Sequence, residues 1–145
     1  MVAGLATITP ASGTVGPAGA LLIGFMAGII CFYATQAVKS YFKIDDSLDV
    51  FPVHGVGGIL GIIMLAIVGN PDGFLGSGAS GISEDGVIAQ LLIQLQGVFI
   101  ICAYTAVITY VILKVLNMFT EVRVTNEQED IGLDMSEHNE QGYSL

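Results

Sequence analysis

Residues 17–38 read PAGALLIGFMAGIICFYATQAV, a run without a single Asp, Glu, Lys, Arg or His. A helix of about 20 such residues crosses the roughly 30 Å hydrocarbon core of a bilayer, at about 1.5 Å per residue. Two further windows have the same character: residues 86–113 contain none of these side chains, and residues 50–71 contain only His54. The sequence therefore predicts three membrane-spanning helices, over about 17–41, 50–69 and 87–119.

The composition of the 145-residue chain is that of a membrane protein: 53% of its residues are hydrophobic, 12% are charged, and its mean hydropathy is +0.76. With four basic residues and a pI of about 4.2, the chain is not expected to bind nucleic acid. It shows no nucleophile paired with a base, no phosphate-binding loop and no metal-ligand spacing, so we predict neither an enzyme nor a bound cofactor or metal. Cys31 and Cys102 fall within predicted spans and are interpreted as packing residues.

The four basic residues predict the orientation of the spans. Lys39 and Lys43 follow the first span, and Lys114 and Arg123 stand near the end of the third. Residues 70–85, between the second and third spans, contain none. Because basic residues of short loops concentrate on the cytoplasmic side, the connection after the first span and the C-terminus are predicted to be cytoplasmic.

We divide the chain into a membrane part, residues 1–120, and an acidic tail, residues 121–145. Seven of the thirteen Asp and Glu residues lie in the tail, which therefore carries most of the formal net charge of −9. Too few apolar residues stand there to build a core. Two interpretations remain open: a solvated tail without a further role, and a tail that docks on a partner.

Small residues at helical spacing indicate close helix packing in the first two spans. Ala20, Gly24 and Gly28 recur every four residues in the first span, and Gly57 and Gly61 have the same spacing in the second. Such spacing lets helix backbones approach each other, and we interpret it as packing rather than as a ligand site. In the third span, four polar residues fall near one stripe that we expect to face protein instead of lipid: Gln90, Gln94, Thr105 and Thr109.

Residues 1–9, MVAGLATIT, are apolar but too short to cross a membrane, and they lack the basic start of a signal peptide. We interpret them as the last turns of a helix whose beginning is missing, and we expect the chain to be a fragment of a longer protein. A genuine N-terminus at Met1 is the alternative. A new helix is expected to begin at Pro17, after a turn over residues 13–16.

His54 is the one position in the spans that offers chemistry. An ionisable side chain within a membrane is a functional candidate, because its charged form is costly there and its neutral ring still needs hydrogen-bond partners. His54 lies about six residues, or roughly 9 Å, from the middle of its window. Hydropathy therefore equally allows an interfacial histidine without a function.

The segment around His54 reads DVFPVHGVGG, residues 49–58, and it resembles a signature of the ammonium transporter family, which includes the Amt, MEP and Rh proteins. Three further blocks resemble the same family: AGLATITPASG at residues 3–13, KIDD at residues 43–46, and GLD at residues 132–134 followed by His138, Glu140 and Tyr143. The blocks keep the family's order and spacing and cover almost the whole chain.

The resemblance implies an all-α integral membrane protein that forms a homotrimer with one pore in each subunit. Each subunit of the family has eleven helices, arranged as two inverted repeats of five and a long final helix. The three spans of this chain would be the last three of the eleven. Residues 1–9 would be the end of the eighth.

The resemblance also implies roles for two residues. His54 matches the second of two pore histidines whose imidazoles share a hydrogen bond, and the first is not in this chain. Thr9 matches a position that lines the cavity with a hydroxyl. In such a pore, ammonium gives up its proton near the histidines and crosses as ammonia with the proton relayed, or crosses as ammonium. A relay lowers the large desolvation cost that a bare cation meets in a dry conduit.

For the tail, the resemblance implies contacts with the cytoplasmic faces of neighbouring pores and regulation by a trimeric signalling protein of the PII type. Gly132 and Asp134 would be central to this docking, with His138 and Tyr143 in the same motif. With the motif present, docking becomes the favoured interpretation of the tail.

Two functions follow. In the first, the chain is the C-terminal part of an ammonium transporter and contributes one of the paired pore histidines to the transport of ammonium or ammonia. In the second, it is a short membrane protein that does not conduct but acts as an assembly or regulatory partner of full-length subunits. Because one histidine and three spans cannot enclose a dry conduit, the chain is not expected to conduct alone.

Overall fold

The computed structural model describes residues 1–69 and 86–140, which are helical and contain no strand. Packing divides the chain into two units, residues 1–101 and residues 102–145. The α-helices have the following bounds: α1 Val2–Ile8, α2 Pro17–Gln36, α3 Gly57–Met64, α4 Val87–Leu116, α5 Asn126–Ile131 and α6 Leu133–His138.

Turns of other helical types extend the first three helices. A 3-10 turn, Thr9–Ala11, continues α1, and a π-helical turn, Ala37–Tyr41, continues α2. α3 lies between two π-helical turns, Phe51–Val56 before it and Leu65–Gly69 after it. Such turns are rare and occur frequently at functional sites, and the one before α3 carries His54.

Three helical segments are long and apolar enough to cross a membrane: Pro17–Tyr41 with 25 residues, Phe51–Gly69 with 19, and Val87–Leu116 with 30. This confirms the prediction of a helical protein with three segments able to span a bilayer. Pro17 stands at the first helical position, where a missing N–H removes no intrahelical hydrogen bond. The division into a membrane part and a tail at residue 120 stays a prediction.

The core of residues 1–69 forms where α1, α2 and α3 meet. α2 buries one stripe of residues, four apart along the helix: Gly19, Ile23, Ala27 and Cys31. Ile23 is fully buried and packs in a hydrophobic cluster with three residues from the other segments: Ala11, Met64 and Val68. This unit is therefore assembled by apolar packing between segments that are each too apolar to be stable in water.

Glycine brings helix backbones together in this unit, as predicted. A Cβ on Gly4 of α1 would lie 3.7 Å from Gly24 Cα of α2. Gly57 and Gly61 are both buried. Gly28 is exposed, however, because the buried stripe of α2 lies one position away from the predicted ladder. The buried stripe itself consists mostly of small residues: Ile23 fills the core, and Gly19 lets the Val68 side chain approach the helix closely.

From Phe99 onward, the third span exposes apolar side chains around its whole circumference in the single chain. Every residue from Phe99 to Leu116 is exposed. Of the polar residues predicted to face protein, Gln90 is buried and Gln94 is half-buried, whereas Thr105 and Thr109 are exposed. A helix that is apolar on all sides suits lipid or other helices rather than water.

The tail forms two short helices. Thr125 caps α5 in a reciprocal capping box, in which its hydroxyl accepts a hydrogen bond from Gln128 N–H at 3.3 Å and Gln128 Oε1 accepts one from Thr125 N–H at 2.8 Å. Gln128 Nε2 also donates to Glu137 Oε1 of α6 at 2.9 Å, which joins the helices. No residue from 121 to 140 is buried. In the single chain the tail thus has regular structure without a buried core, and whether it docks on a partner stays a prediction.

Candidate functional site

His54 stands on the π-helical turn Phe51–Val56, near the start of the second span, and its side chain is exposed in the single chain. A carboxylate organises the start of this turn. Asp46 accepts hydrogen bonds from the backbone N–H groups of Val50 at 2.8 Å and Phe51 at 2.9 Å. These groups have no partner within the helix at its first turn, so Asp46 defines where the helix begins.

Asp49 links the same helix start to the end of the first span. Its Oδ1 lies 2.8 Å from Lys39 Nζ, on the π-helical turn Ala37–Tyr41. Its backbone is left-handed, with φ at 56°, which is uncommon for a residue other than glycine, and its carbonyl accepts from Val53 N–H at 3.0 Å. Because both side chains are partly exposed, the ion pair adds little to stability and mainly orients the segment that carries His54.

The ring of Phe51 lies on Gly55, the residue that follows His54. A Cβ at position 55 would be 2.9 Å from Phe51 Cδ2, so a larger residue there would displace the ring. An apolar ring therefore covers the backbone next to the imidazole.

Thr9 opens the 3-10 turn Thr9–Ala11 and is exposed in the single chain. Its hydroxyl donates a hydrogen bond to the Leu5 carbonyl at 2.9 Å, one helical turn earlier. The hydroxyl proton is thus used within the helix. The lone pairs of Oγ1 are left to accept a hydrogen bond from a donor such as an N–H group.

The fold brings the segments that carry Thr9 and His54 side by side. α1 and its 3-10 turn pack along the second span, with Thr7 in contact with Gly57 and Gly61. Both predicted site residues are exposed, so in the single chain the site is an open face rather than an enclosed cavity.

The chemistry of this face is that of one imidazole and one hydroxyl. Among residues 1–69 and 86–140, no three His, Cys, Asp or Glu side chains come close enough to hold a metal ion. A neutral imidazole both donates and accepts a hydrogen bond and takes up a proton near neutral pH. The exposed imidazole of His54 and the exposed hydroxyl of Thr9 can therefore each form a hydrogen bond with a small N–H donor.

The tail residues of the predicted motif lie around the junction of α5 and α6. Gly132 joins these helices with φ at 98°, a conformation that residues with a side chain rarely adopt. Asp134 Oδ1 lies 2.9 Å from the point that a Cβ at position 132 would occupy, and the Asp134 carbonyl accepts from Glu140 N–H at 2.9 Å. His138 is exposed in the last turn of α6, and Tyr143 lies outside the described residues.

Two features of the His54 face escape prediction from the sequence. The ion pair of Lys39 and Asp49 is one, although opposite charges at the two ends of a short connection are a signal that could indicate it. The other is Thr7, which is completely buried where the helices meet. A single threonine in an apolar segment gives no signal of such a position.

Comparison with known proteins identifies the family. A family profile described as Ammonium Transporter Family matches residues 1–143. The chain is 40% identical over 145 residues to "Ammonium transporter" of Aquifex aeolicus (strain VF5), covering 100% of this chain and 33% of that protein. It is 39% identical over 145 residues to "Ammonium transporter Amt1" of Archaeoglobus fulgidus, covering 99% and 35% of the two. It is 33% identical over 144 residues to "Ammonium transporter" of Bacillus subtilis (strain 168), covering 98% and 35%.

These relatives are named as transporters, not as enzymes. The chain spans about a third of their length, as 33–35% of each is covered. The profile, in contrast, covers nearly all of this chain. The match over residues 1–143, with three segments able to span a bilayer, shows that the chain belongs to the ammonium transporter family.

Proposed function

We propose that the chain works in the transport of ammonium or ammonia across the membrane, as the C-terminal part of an ammonium transporter that contributes one of two paired pore histidines. Family membership supports the transport of ammonium in general. The observation that carries the residue assignment is His54, the one Asp, Glu, Lys, Arg or His between Asp49 and Asp72, exposed on a π-helical turn within an apolar span.

The proposed role of His54 follows from the cost of moving a cation through a medium of low polarity. Ammonium loses its hydration there, and an isolated charge in such a medium is strongly disfavoured. An imidazole lowers this cost in two ways, since it accepts a hydrogen bond from the ammonium and takes its proton so that neutral ammonia can move on. The first histidine of the pair, which is not in this chain, would share the proton.

Thr9 is proposed to act as a second hydrogen-bond acceptor in the same conduit. Its hydroxyl proton is already donated to Leu5, so its oxygen is oriented to accept from ammonium or ammonia. The packing of α1 along the second span supports placing both residues on one conduit. The exposure of both side chains leaves them free to face other segments of a complete pore.

The assembly proposed for this chain is a homotrimer of eleven-helix subunits, with the C-terminus in the cytoplasm. The apolar side chains between Phe99 and Leu116 are all exposed in the single chain. Their exposure supports an assembly in which further helices or lipid surround the third span. Lys39, Lys43, Lys114 and Arg123 support the cytoplasmic side for the tail.

The tail is proposed to dock on the cytoplasmic face of such an assembly and to bind a regulator of the PII type. Gly132 and Asp134 support this, because a glycine with positive φ next to a helix start gives the tail a defined bend instead of a random chain. His138 and Tyr143 are proposed as contacts of the same motif.

Uptake of radiolabelled methylammonium tests the proposal, in cells that lack their own ammonium transporters. The chain as given is compared with the chain extended by any reading frame that precedes it, each with and without His54→Ala. We expect uptake from the extended form only and its loss in the His54→Ala variant. Gly97→Ala, in the third span with no other atoms within 4 Å of its added methyl group, is the control that should retain uptake.

Other outcomes of this assay separate the alternatives. Unchanged uptake after His54→Ala would remove His54 from the pore. Absence of uptake from both forms would favour a non-conducting partner of full-length subunits, a role that co-purification with such a subunit would then have to show. Saturable uptake by the 145-residue chain alone would contradict the expectation that it needs further segments.

A further inference from the structure

Thr7 differs from the other threonine of α1 and its 3-10 turn in how it uses its hydroxyl. Thr9 donates its hydroxyl proton to the backbone carbonyl one turn earlier, as threonines in helices commonly do. Thr7 is completely buried, and among the described residues the polar group beside its Oγ1 is the thiol of Cys31, a weak hydrogen-bond partner. A buried hydroxyl with so weak a partner is uncommon and calls for an explanation.

The position of the Thr7 side chain supplies an explanation for this burial. A Cβ built on Gly57 of α3 would lie 2.8 Å from Thr7 Oγ1 and 3.4 Å from Cys31 Sγ. The hydroxyl thus occupies the space that a side chain at position 57 would need, beside the thiol of α2. The three segments meet at this one side chain.

The backbone of Thr7 makes a second contact with α3, at Gly61, one turn after Gly57. A Cβ built on Gly61 would overlap the Thr7 carbonyl oxygen and lie 3.2 Å from Pro10 Cδ. Thr7 therefore touches α3 at two points four residues apart, through its side chain at Gly57 and its backbone at Gly61. Two contacts of this kind fix both the distance between the segments and their offset along the helix axis.

The two site residues lie next to these contacts in the sequence. Thr9 follows Thr7 by two residues, and His54 precedes Gly57 by three. Not every helical glycine makes such a contact: a Cβ on Gly19 would also overlap a side chain, that of Val68, whereas Gly58 and Gly97 have no atoms outside their own helix within 4 Å of a built Cβ. A shift of α1 along α3 would move Thr9 and His54 relative to each other.

We propose that Thr7 is a positioning residue: its side chain, held between Gly57 and Cys31, sets the register between the segment that carries Thr9 and the turn that carries His54. Thr7 itself does not face the conduit, because it is completely buried inside the junction. Its importance for transport rests on the function proposed above. The effect of Thr7 on the environment of His54 does not depend on that function.

A double-mutant cycle tests this contact in the full chain. Gly57→Ala places a methyl group where Thr7 Oγ1 lies, and Thr7→Ala removes that oxygen. No other Thr7 atom is among the three atoms nearest to the built Cβ, so the double variant has room for the methyl group. Gly97→Ala, the same change at an open position, is the matched control.

The first readout is the ¹⁵N NMR signal of the His54 imidazole, with the protein in bilayers, and it needs no transport. We expect both single variants to shift the signal, the double variant to return it to that of the parent, and Gly97→Ala to leave it unchanged. A merely structural role would change the amount of folded protein without this reciprocal pattern at His54.

Methylammonium uptake by the extended form is the second readout. Gly57→Ala is expected to lower the maximal rate by between about 10- and 100-fold, since a displacement of about 1 Å at a site has effects of this size. Uptake is expected to recover in the double variant. If the parent shows no uptake, the proposed function fails and the NMR cycle still decides the role of Thr7.

Two results would overturn the proposal. One is a double variant whose His54 signal stays as displaced as in Gly57→Ala, because the methyl group would then act through something other than Thr7. The other is an unshifted signal in folded Thr7→Ala, which leaves a void instead of an overlap. The Thr7→Ala variant therefore decides whether Thr7 acts as a positioning residue even if Gly57→Ala does not fold.

Discussion

Residues 1–69 and residues 121–140 are both helical, but different interactions hold their helices together. In the first region, helices touch through backbone and small residues, as where the Thr7 carbonyl meets Gly61. In the second, a capping box stabilises α5, and a hydrogen bond between two exposed side chains connects it to α6; each of these helices has six residues. The comparison shows how the expected surroundings of each region select the interactions that stabilise it.

The physical reason for this difference is that the helices of the first region are expected in lipid and those of the second in water. Helices in a bilayer gain little from apolar burial, since lipid is as apolar as their side chains, and close packing of small residues becomes the main attraction. Helices of six residues in water are too short to persist by backbone hydrogen bonds alone, so caps and cross-links must supply part of their stability. Each region should therefore be sensitive to a different kind of substitution.

The largest effect is expected for Gly61→Ala in the first region. The added methyl group would overlap the Thr7 carbonyl oxygen, and a backbone atom cannot move aside as a flexible side chain can. We expect a loss of about 3 kcal/mol in the free energy of unfolding, as for a severe case of overpacking. Thermal unfolding in detergent, followed by far-UV circular dichroism, measures it against Gly97→Ala. Equal unfolding temperatures of the two variants would contradict the role of packing.

A smaller effect is expected for Thr125→Ala in the tail. The substitution removes the oxygen that accepts from Gln128 N–H, and losing such a cap costs about 1 kcal/mol of helix stability. Hydrogen exchange of the backbone amides of α5, in the full chain, reports the loss locally. Thr125→Ser keeps the hydroxyl and should retain the protection of the parent. If Thr125→Ser exchanges as fast as Thr125→Ala, the hydroxyl is not the stabilising group.

The smallest effect is expected for Arg123→Gln. Arg123 lies 2.9 Å from Glu129 Oε1, but the Arg123 side chain is 75% exposed, and water and salt screen such a pair. We expect less than about 0.5 kcal/mol from its loss. The same hydrogen-exchange experiment, run at low and high salt, should show a difference from the parent at low salt only. A difference that persists at high salt would assign Arg123 a contact other than this ion pair.

The sequence predicts the three long helices well because hydropathy and charge are local properties. Pro17 marks the start of the first span, and the charge-free windows delimit all three closely. Helix packing is predicted less well: Gly57 and Gly61 are at the contact, whereas Gly28 is exposed. A ladder of small residues indicates that a helix has a close neighbour but not which of two adjacent stripes meets it.

For the candidate site, too, the sequence predicts some features, and only the structure shows others. His54 stands out in the sequence, since one ionisable side chain in an apolar window is visible without a structure. The contacts of Thr7, and the ion pair of Lys39 with Asp49, join residues from different segments. No local pattern encodes them, because each partner is an ordinary residue in its own stretch of chain.

The sequence by itself thus determined the class of this protein, its three apolar helices and the prominence of His54, because burial in lipid imposes its demand on every residue of a span. Only the tertiary structure decided that α1 lies along the second span with Thr7 against Gly57 and Gly61. That arrangement depends on the shapes of surfaces brought together by folding, and a one-residue change in offset would leave the hydropathy of each helix unaltered.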